Sequence, residues 1–349
     1  MKRCLQLAEL GRGYVAPNPM VGALLVYNDC IFAEGFHRQF GGPHAEVNCL
    51  QNVREEDLGL IEKSTLYVSL EPCVHFGKTA PCADLIISKG IPEVVIGCRD
   101  SNALVNGKGI EKLEKAGVKV GIGILEKECL AINRRFFTFQ QKKRPYIILK
   151  WAQSLDKKIA LKPINGSVAK SNERLFITNS ITNRLVHKWR GEEAAILVGT
   201  QTALLDDPSL TSRLWNGPDP VRVVIDNQLR LSGSLKLFDG KVRTLVFNQI
   251  RQEDKGMISF IKTGSSFGLP GEVLMTLYEM GLSSVIVEGG AILLNSFIVS
   301  GVWDEARVIT NEGLLAGEGY EAPVLNGKEP EKEEQLFTDR ISYYFNESA

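Results

Sequence analysis

Leu70-Glu71-Pro72-Cys73-Val74-His75-Phe76-Gly77-Lys78-Thr79-Ala80-Pro81-Cys82 places two cysteines, each directly after a proline, at the end of the apolar run Thr65–Leu70. That run, followed at once by a proline, reads as a strand leaving its sheet. Upstream, Gly41-Gly42-Pro43 leads into His44-Ala45-Glu46, which opens the helical stretch Ala45–Val53. Two thiolates and one neutral imidazole give zinc three ligands and cancel its charge, and the fourth tetrahedral position is left for water. An open position marks a catalytic rather than a structural site.

In zinc deaminases, H-x-E joined to P-C-x-x-C supplies three ligands, and the Glu is a general acid/base rather than a ligand. Here His44-Ala45-Glu46 gives the first half, but the cysteine pair is spaced C-x8-C. The longer loop holds His75, Gly77, Lys78 and Thr79, which the loop of a generic cytidine or tRNA adenosine deaminase has no room for. An isolated H-x-E arises by chance, and single buried cysteines are usually inert packing residues. The two halves together, each at a loop-to-helix or strand-to-loop junction, make chance a poor explanation. Cys4, Cys30, Cys49, Cys98 and Cys129 keep the packing reading.

Beyond this motif the pattern alternates. Apolar runs at Val21–Tyr27 and Ile31–Phe36, joined by Asn28-Asp29, predict a hairpin. Ala83–Lys89, ending at Gly90, and Gly109–Ala116 predict helices, Glu93–Gly97 and Val118–Ile122 strands, and Glu126–Phe139 one helical segment. The polar stretch Gln140-Gln141-Lys142-Lys143-Arg144 before Pro145 is the expected boundary, giving domains 1–144 and 145–349. At 349 residues the chain exceeds what one core usually supports. All seven cysteines and three of the four histidines precede residue 130, so the chemistry is divided along the chain. The second half opens on the apolar run Tyr146–Trp151 and predicts strands at Ala194–Val198, Val221–Ile225, Thr244–Phe247 and Ser284–Val287. Its Val287-Glu288-Gly289-Gly290-Ala291 turn lets backbone amides approach a phosphate at a helix start.

Composition excludes some function classes. Lys plus Arg equals Asp plus Glu at 41 each, so no overall positive field gathers nucleic acid. No apolar run reaches signal-peptide or membrane-spanning character, and a reducing, cytoplasmic address with free thiols is expected. Small molecules, rather than nucleic acid or membrane, are the expected partners, and homo-oligomerisation stays open.

Ala16-Pro17-Asn18-Pro19-Met20-Val21-Gly22-Ala23, Gly35-Phe36-His37, Pro43-His44-Ala45-Glu46 and the opening Leu70–Cys82 stretch resemble the bifunctional riboflavin biosynthesis deaminase/reductase family. The second half resembles that family's reductase domain at Leu149–Asp156, Ile177-Thr178, Ala195–Gly199, Asp206–Arg213, Val224-Ile225-Asp226 and Val287–Gly290. The resemblance implies a three-layer α/β/α cytidine deaminase-like domain followed by a dihydrofolate reductase-like α/β domain. It implies one zinc per chain on His44, Cys73 and Cys82, with Glu46 shuttling protons. The substrate it implies is 2,5-diamino-6-(5-phosphoribosylamino)pyrimidin-4-one, with Asn18 and His37 at the base, His75 and Lys78 at the phosphate, and Asp100 and Asn102 beside the ribose. The family's prolines after Asp100 and Asn102 are replaced by Ser101 and Ala103. For the reductase it implies NADPH on Thr178, Thr202, Asp206, Gly289 and Gly290, with Asp206 also in the catalytic set. Substrate would face Arg190, Leu210, Arg213 and Glu288.

Two departures stand out. Lys157 replaces the glycine of the family's Ser-Leu-Asp-Gly, predicting strain if that position needs a positive φ. Phe176 replaces a tryptophan, keeping a stacking face but losing the indole donor. They support a narrower alternative, a deaminase carrying a degenerate reductase-like domain. Two further alternatives are a nucleoside or nucleic-acid deaminase with an unrelated second domain, and a zinc module in which Glu46 merely favours a helix start.

Overall fold

Asn28 and Asp29 both take left-handed backbone conformations, φ 48° and 61°, the pair of values that a two-residue I′ hairpin requires. In the computed structural model, which describes residues 1–74, 80–100, 105–162, 175–264 and 270–346, this turn joins the first two strands. The chain forms two compact units, Met1–Arg144 and Pro145–Ala349.

The first unit runs α1 (Lys2–Glu9), β1 (Gly22–Tyr27), β2 (Cys30–Phe36), α2 (Ala45–Gln51), β3 (Thr65–Leu70), α3 (Cys82–Ser88), β4 (Glu93–Cys98), α4 (Lys108–Lys115), β5 (Lys119–Ile122), α5 (Glu126–Ile132) and α6 (Arg134–Lys142). The sheet order is β2-β1-β3-β4-β5. β1 is antiparallel to β2 and β3, while β3, β4 and β5 are parallel. Side chains alternate across β1, so Ala23 and Leu25 join a core with Ala45, Cys49, Ile86 and Leu113. Leu24 turns the other way, onto Cys4 and Leu7 of α1. Helices therefore cover both faces, giving three layers.

The helical segment expected as one piece over Glu126–Phe139 is broken at Asn133, where φ is −102° and ψ 15°. Its buried amide donates to the Met20 carbonyl and accepts from the Met20 N–H, at 2.9 and 2.8 Å. That clasp holds the segment leading out of Asn18 and sets a kink that helical periodicity cannot reveal.

The second unit runs β6 (Tyr146–Ser154), β7 (Lys158–Leu161), α7 (Ser180–Glu192), β8 (Ala195–Gly199), α8 (Thr200–Asp206), β9 (Val221–Ile225), β10 (Thr244–Asn248), β11 (Glu253–Lys255), β12 (Ile258–Lys262), α9 (Gly271–Glu279), β13 (Ser284–Glu288), α10 (Ala291–Ser300), β14 (Glu305–Asn311), β15 (Gly319–Glu321), β16 (Lys332–Leu336) and β17 (Asp339–Phe345). Ten strands form one sheet, β11-β12-β10-β9-β8-β13-β6-β14-β17-β16. The seven from β12 to β14 are parallel, and antiparallel strands close both edges. Ile147, Leu149, Val285 and Val287 pack into one core, and Ile148, Ile196 and Ile286 into another with Val186 and Trp189 of α7. Burial on both faces explains why these strands read as continuous apolar runs. No helix among the described residues is long and apolar enough to cross a membrane.

Candidate active sites

In the first unit, the end of the connection from β2 to α2 meets the residues that leave β3 and those that open α3. His44 is the N-cap of α2, with extended backbone (φ −70°, ψ 167°), so its imidazole stands outside the helix. Pro72 carries the chain off β3 toward Cys73, and Cys82 opens α3 behind Pro81. His44 Nδ1 lies 3.5 Å from Cys73 Sγ and 3.3 Å from Cys82 Sγ. All three donor atoms fall within 4.8 Å of one another. Bonds of about 2.0–2.3 Å around a tetrahedral zinc space its ligands roughly 3.5 Å apart, so this donor set fits the metal in both chemistry and spacing.

Glu46, in the first turn of α2, is 4% exposed and lies beside these donors. Burial pushes its carboxyl pKa upward, and the neighbouring Cys73 adds to the shift. The Cys82 thiol and the His44 imidazole, by hydrogen bonding, pull Cys73 down to about 4 against the cost of its own burial. Cys82 is correspondingly pushed up.

Asn18 and His37 are brought to the same place. The His37 ring meets the His44 ring edge-on, with centroids 5.6 Å apart. His37 is buried, which holds its pKa below the ordinary value and keeps the ring neutral. Its Nδ1–H donates to the Pro43 carbonyl at 2.9 Å, so Nε2 accepts from Asn18 Nδ2 at 3.1 Å. That single tautomer fixes which end of the Asn18 amide carries the oxygen. Asp100, two residues past β4, is 7% exposed. His75, Lys78 and Asn102 lie outside the described residues.

In the second unit, Glu288 ends β13 beside Lys150 of β6, its partner in register. Arg190 of α7 reaches the same carboxylate with two bonds, Nε to Oε1 at 3.1 Å and Nη2 to Oε2 at 2.7 Å. Lys150 Nζ stands 3.8 Å from Oε2. Burial opposes the charge on Glu288, but Arg190 and Lys150 prevail and hold it at about 2. His187, one turn before Arg190, is pushed down to about 4 by burial and by Arg190 and Arg213. Arg190 therefore faces inward rather than lying on the helix surface.

Thr202 of α8 accepts from the Gly290 N–H at 3.0 Å, placing the Gly289-Gly290 turn over the start of α8. Gly290 caps α10, whose first N–H groups point toward this turn. Thr178 is half-buried just before α7, and Asp206 is the last residue of α8. Arg213 is exposed. Leu210 is different: the whole residue is 1% exposed, its side chain lies in the core, and its backbone is left-handed (φ 51°). Lys157 adopts φ 58°, a conformation that costs a non-glycine residue about 1 kcal/mol. Phe176 is 79% exposed. Asn179 caps α7: its side chain accepts from Ile181 and Thr182 N–H.

Two residues went unassigned in the sequence reading. Lys150 could have been suspected as the single charge in the run Tyr146–Trp151. Glu71 could not: its oxygens accept from Asp100, Gly107, Gly109 and Ile110 N–H, partners far along the chain.

Residues 1–98 match the cytidine and deoxycytidylate deaminase zinc-binding region, and residues 145–336 match the RibD C-terminal domain. The riboflavin biosynthesis protein RibD of Aquifex aeolicus is 40% identical over 331 residues, covering 91% of this chain and 89% of its own length. That of Escherichia coli is 32% identical over 348 residues, covering 94% and 91%. The crystal structure of a diaminohydroxyphosphoribosylaminopyrimidine deaminase/5-amino-6-(5-phosphoribosylamino)uracil reductase from Thermotoga maritima superposes with a TM-score of 0.88 at 36% identity, over 99% of this chain and 97% of that one. Fold and sites together define a deaminase of the zinc-binding cytidine deaminase class joined to a reductase. Both activities serve riboflavin biosynthesis. The chain belongs to the RibD family.

Proposed function

We propose that the first unit removes the C2 amino group of 2,5-diamino-6-(5-phosphoribosylamino)pyrimidin-4-one as ammonia, and that the second reduces the ribosyl side chain of the product to ribityl with NADPH. The observation that carries the first step is the His44, Cys73 and Cys82 donor set beside buried Glu46. Zinc held there, one per chain, would supply Lewis-acid activation of water. Glu46 takes the proton from that water and delivers protons to the ring nitrogen and departing amine. Asn18, oriented by His37, meets the pyrimidine edge. Asp100 and Asn102 meet the ribose, and His75 and Lys78 the phosphate.

For the second step, NADPH would supply hydride. Its phosphates would lie against the Gly289-Gly290 turn, with Thr178, Thr202 and Asp206 as further contacts. Arg190, Glu288 and Arg213 would face the ribosyl phosphate substrate, the guanidinium group being suited to its phosphate and the charged Glu288 to its hydroxyl groups. Leu210, itself buried, would back these residues from the core. The Arg190–Glu288 pair supports this reading, since an ionic pair spanning α7 and β13 places fixed charge where the strands end.

The test is a coupled assay on the full chain, with ammonia release followed by NADPH oxidation. Glu46→Ala should retain about one zinc per chain and lose ammonia release by roughly a hundredfold or more. Zinc loss in this variant, or retained turnover, removes Glu46 from the acid/base role.

A further inference from the structure

Glu71 follows β3 directly, before Pro72-Cys73, and is 3% exposed. A carboxylate is acceptor-only, and burying one requires donors on both oxygens. Here the donors are all backbone N–H groups: Asp100 at 3.2 Å and Gly107 at 3.0 Å on Oε2, Gly109 at 2.9 Å and Ile110 at 3.4 Å on Oε1. Gly109 and Ile110 belong to the first turn of α4, whose N–H groups have no partner within the helix. A second observation is independent of the carboxylate. A Cβ on Gly109 would stand 2.2 Å from the Pro72 carbonyl oxygen, so the α4 backbone is seated directly on the chain that delivers Cys73.

We propose that Glu71 is a positioning residue of the deaminase site: by gathering the N–H groups of Asp100, Gly107, Gly109 and Ile110, it sets Asp100 against the ribosyl part of the substrate without touching substrate or metal itself. This rests on the reading of Asp100 as a substrate contact. One side chain thereby ties the segment that delivers Cys73 to the backbone of Asp100.

Glu71→Gln in the full chain keeps the shape but turns an NH2 against a backbone N–H. We expect the substrate KM for ammonia release to rise roughly tenfold while kcat stays within about threefold. Zinc content and NADPH oxidation with the deaminated substrate should be unchanged. Glu71→Asp, which keeps the charge but draws the oxygens back from these N–H groups, should give the same signature, and it decides the matter if Glu71→Gln does not fold. A loss of zinc, or of kcat without a change in KM, overturns the proposal in favour of a purely structural role. Asp100→Asn is assayed in parallel. If it raises KM while the other two variants leave KM unchanged, positioning by Glu71 is refuted and the Asp100 reading survives. If Asp100→Asn itself leaves KM unchanged, that reading falls and takes the positioning role with it.

Discussion

His187 lies one turn before Arg190 on α7, 1% exposed, with its pKa held near 4 by burial and by Arg190 and Arg213. Between pH 4 and its ordinary value of 6.5, the unfolded chain binds a proton that the folded chain refuses. Stability therefore rises with pH across that window and falls as the medium is acidified through it. Glu288, depressed to about 2, adds a loss in the same direction as pH falls into the ordinary carboxylate range near 4.5, where the unfolded chain takes up a proton that the folded carboxylate refuses; His187 is therefore read above that range. Thermal unfolding of the full chain from pH 7 to about pH 5 should show the midpoint drop, and His187→Gln should flatten the slope. Parallel slopes in the two proteins would mean that His187 is not held neutral. At this scale the grouping of His44, Cys73 and Cys82 was legible because His-x-Glu and two proline-preceded cysteines each sit at an element junction, whereas Lys150 and Glu71 act through partners that only the fold supplies.

At the scale of elements, the turn between β13 and α10 is the informative one. A Cβ on Gly290 would meet nothing closer than Thr202 Oγ1 at 3.8 Å, so the protein itself leaves room for a side chain there. Gly290→Val should thus fold and keep ammonia release, but weaken NADPH binding at least tenfold by occupying space a phosphate needs. Calorimetric titration with NADPH checks this, and undiminished affinity would move the cofactor off the turn. Strands such as Thr65–Leu70 and Val221–Ile225 were read with their observed limits, because each is a short apolar run between turn residues. β11, β15 and β16 were missed for the opposite reason: Glu253–Lys255, Gly319–Glu321 and Lys332–Leu336 are edge strands rich in charge, held by their neighbours rather than by apolar pattern. The break at Asn133 was missed because its cause is a contact with Met20.

For the whole molecule, every cysteine precedes residue 130 and the Arg190–Glu288 pair lies wholly beyond residue 145, so the two chemistries draw on separate stretches of chain. Stripping zinc with a chelator should abolish ammonia release and spare NADPH oxidation with the deaminated substrate. Parallel loss of both would show that the second activity also depends on metal. The two sheets also differ in how far apart in sequence their neighbours lie. β1 to β5 are complete once Ile122 has been made, but β6 sits between β13 and β14, pairing Tyr146 with Ser284 and Ile148 with Glu305. On the ribosome the first unit can close early, while Tyr146–Leu149 waits as an apolar strand with both edges bare until most of the remaining chain has emerged. Through that interval it is a natural target for holding chaperones, and for mispairing with the same strand of a neighbouring nascent copy.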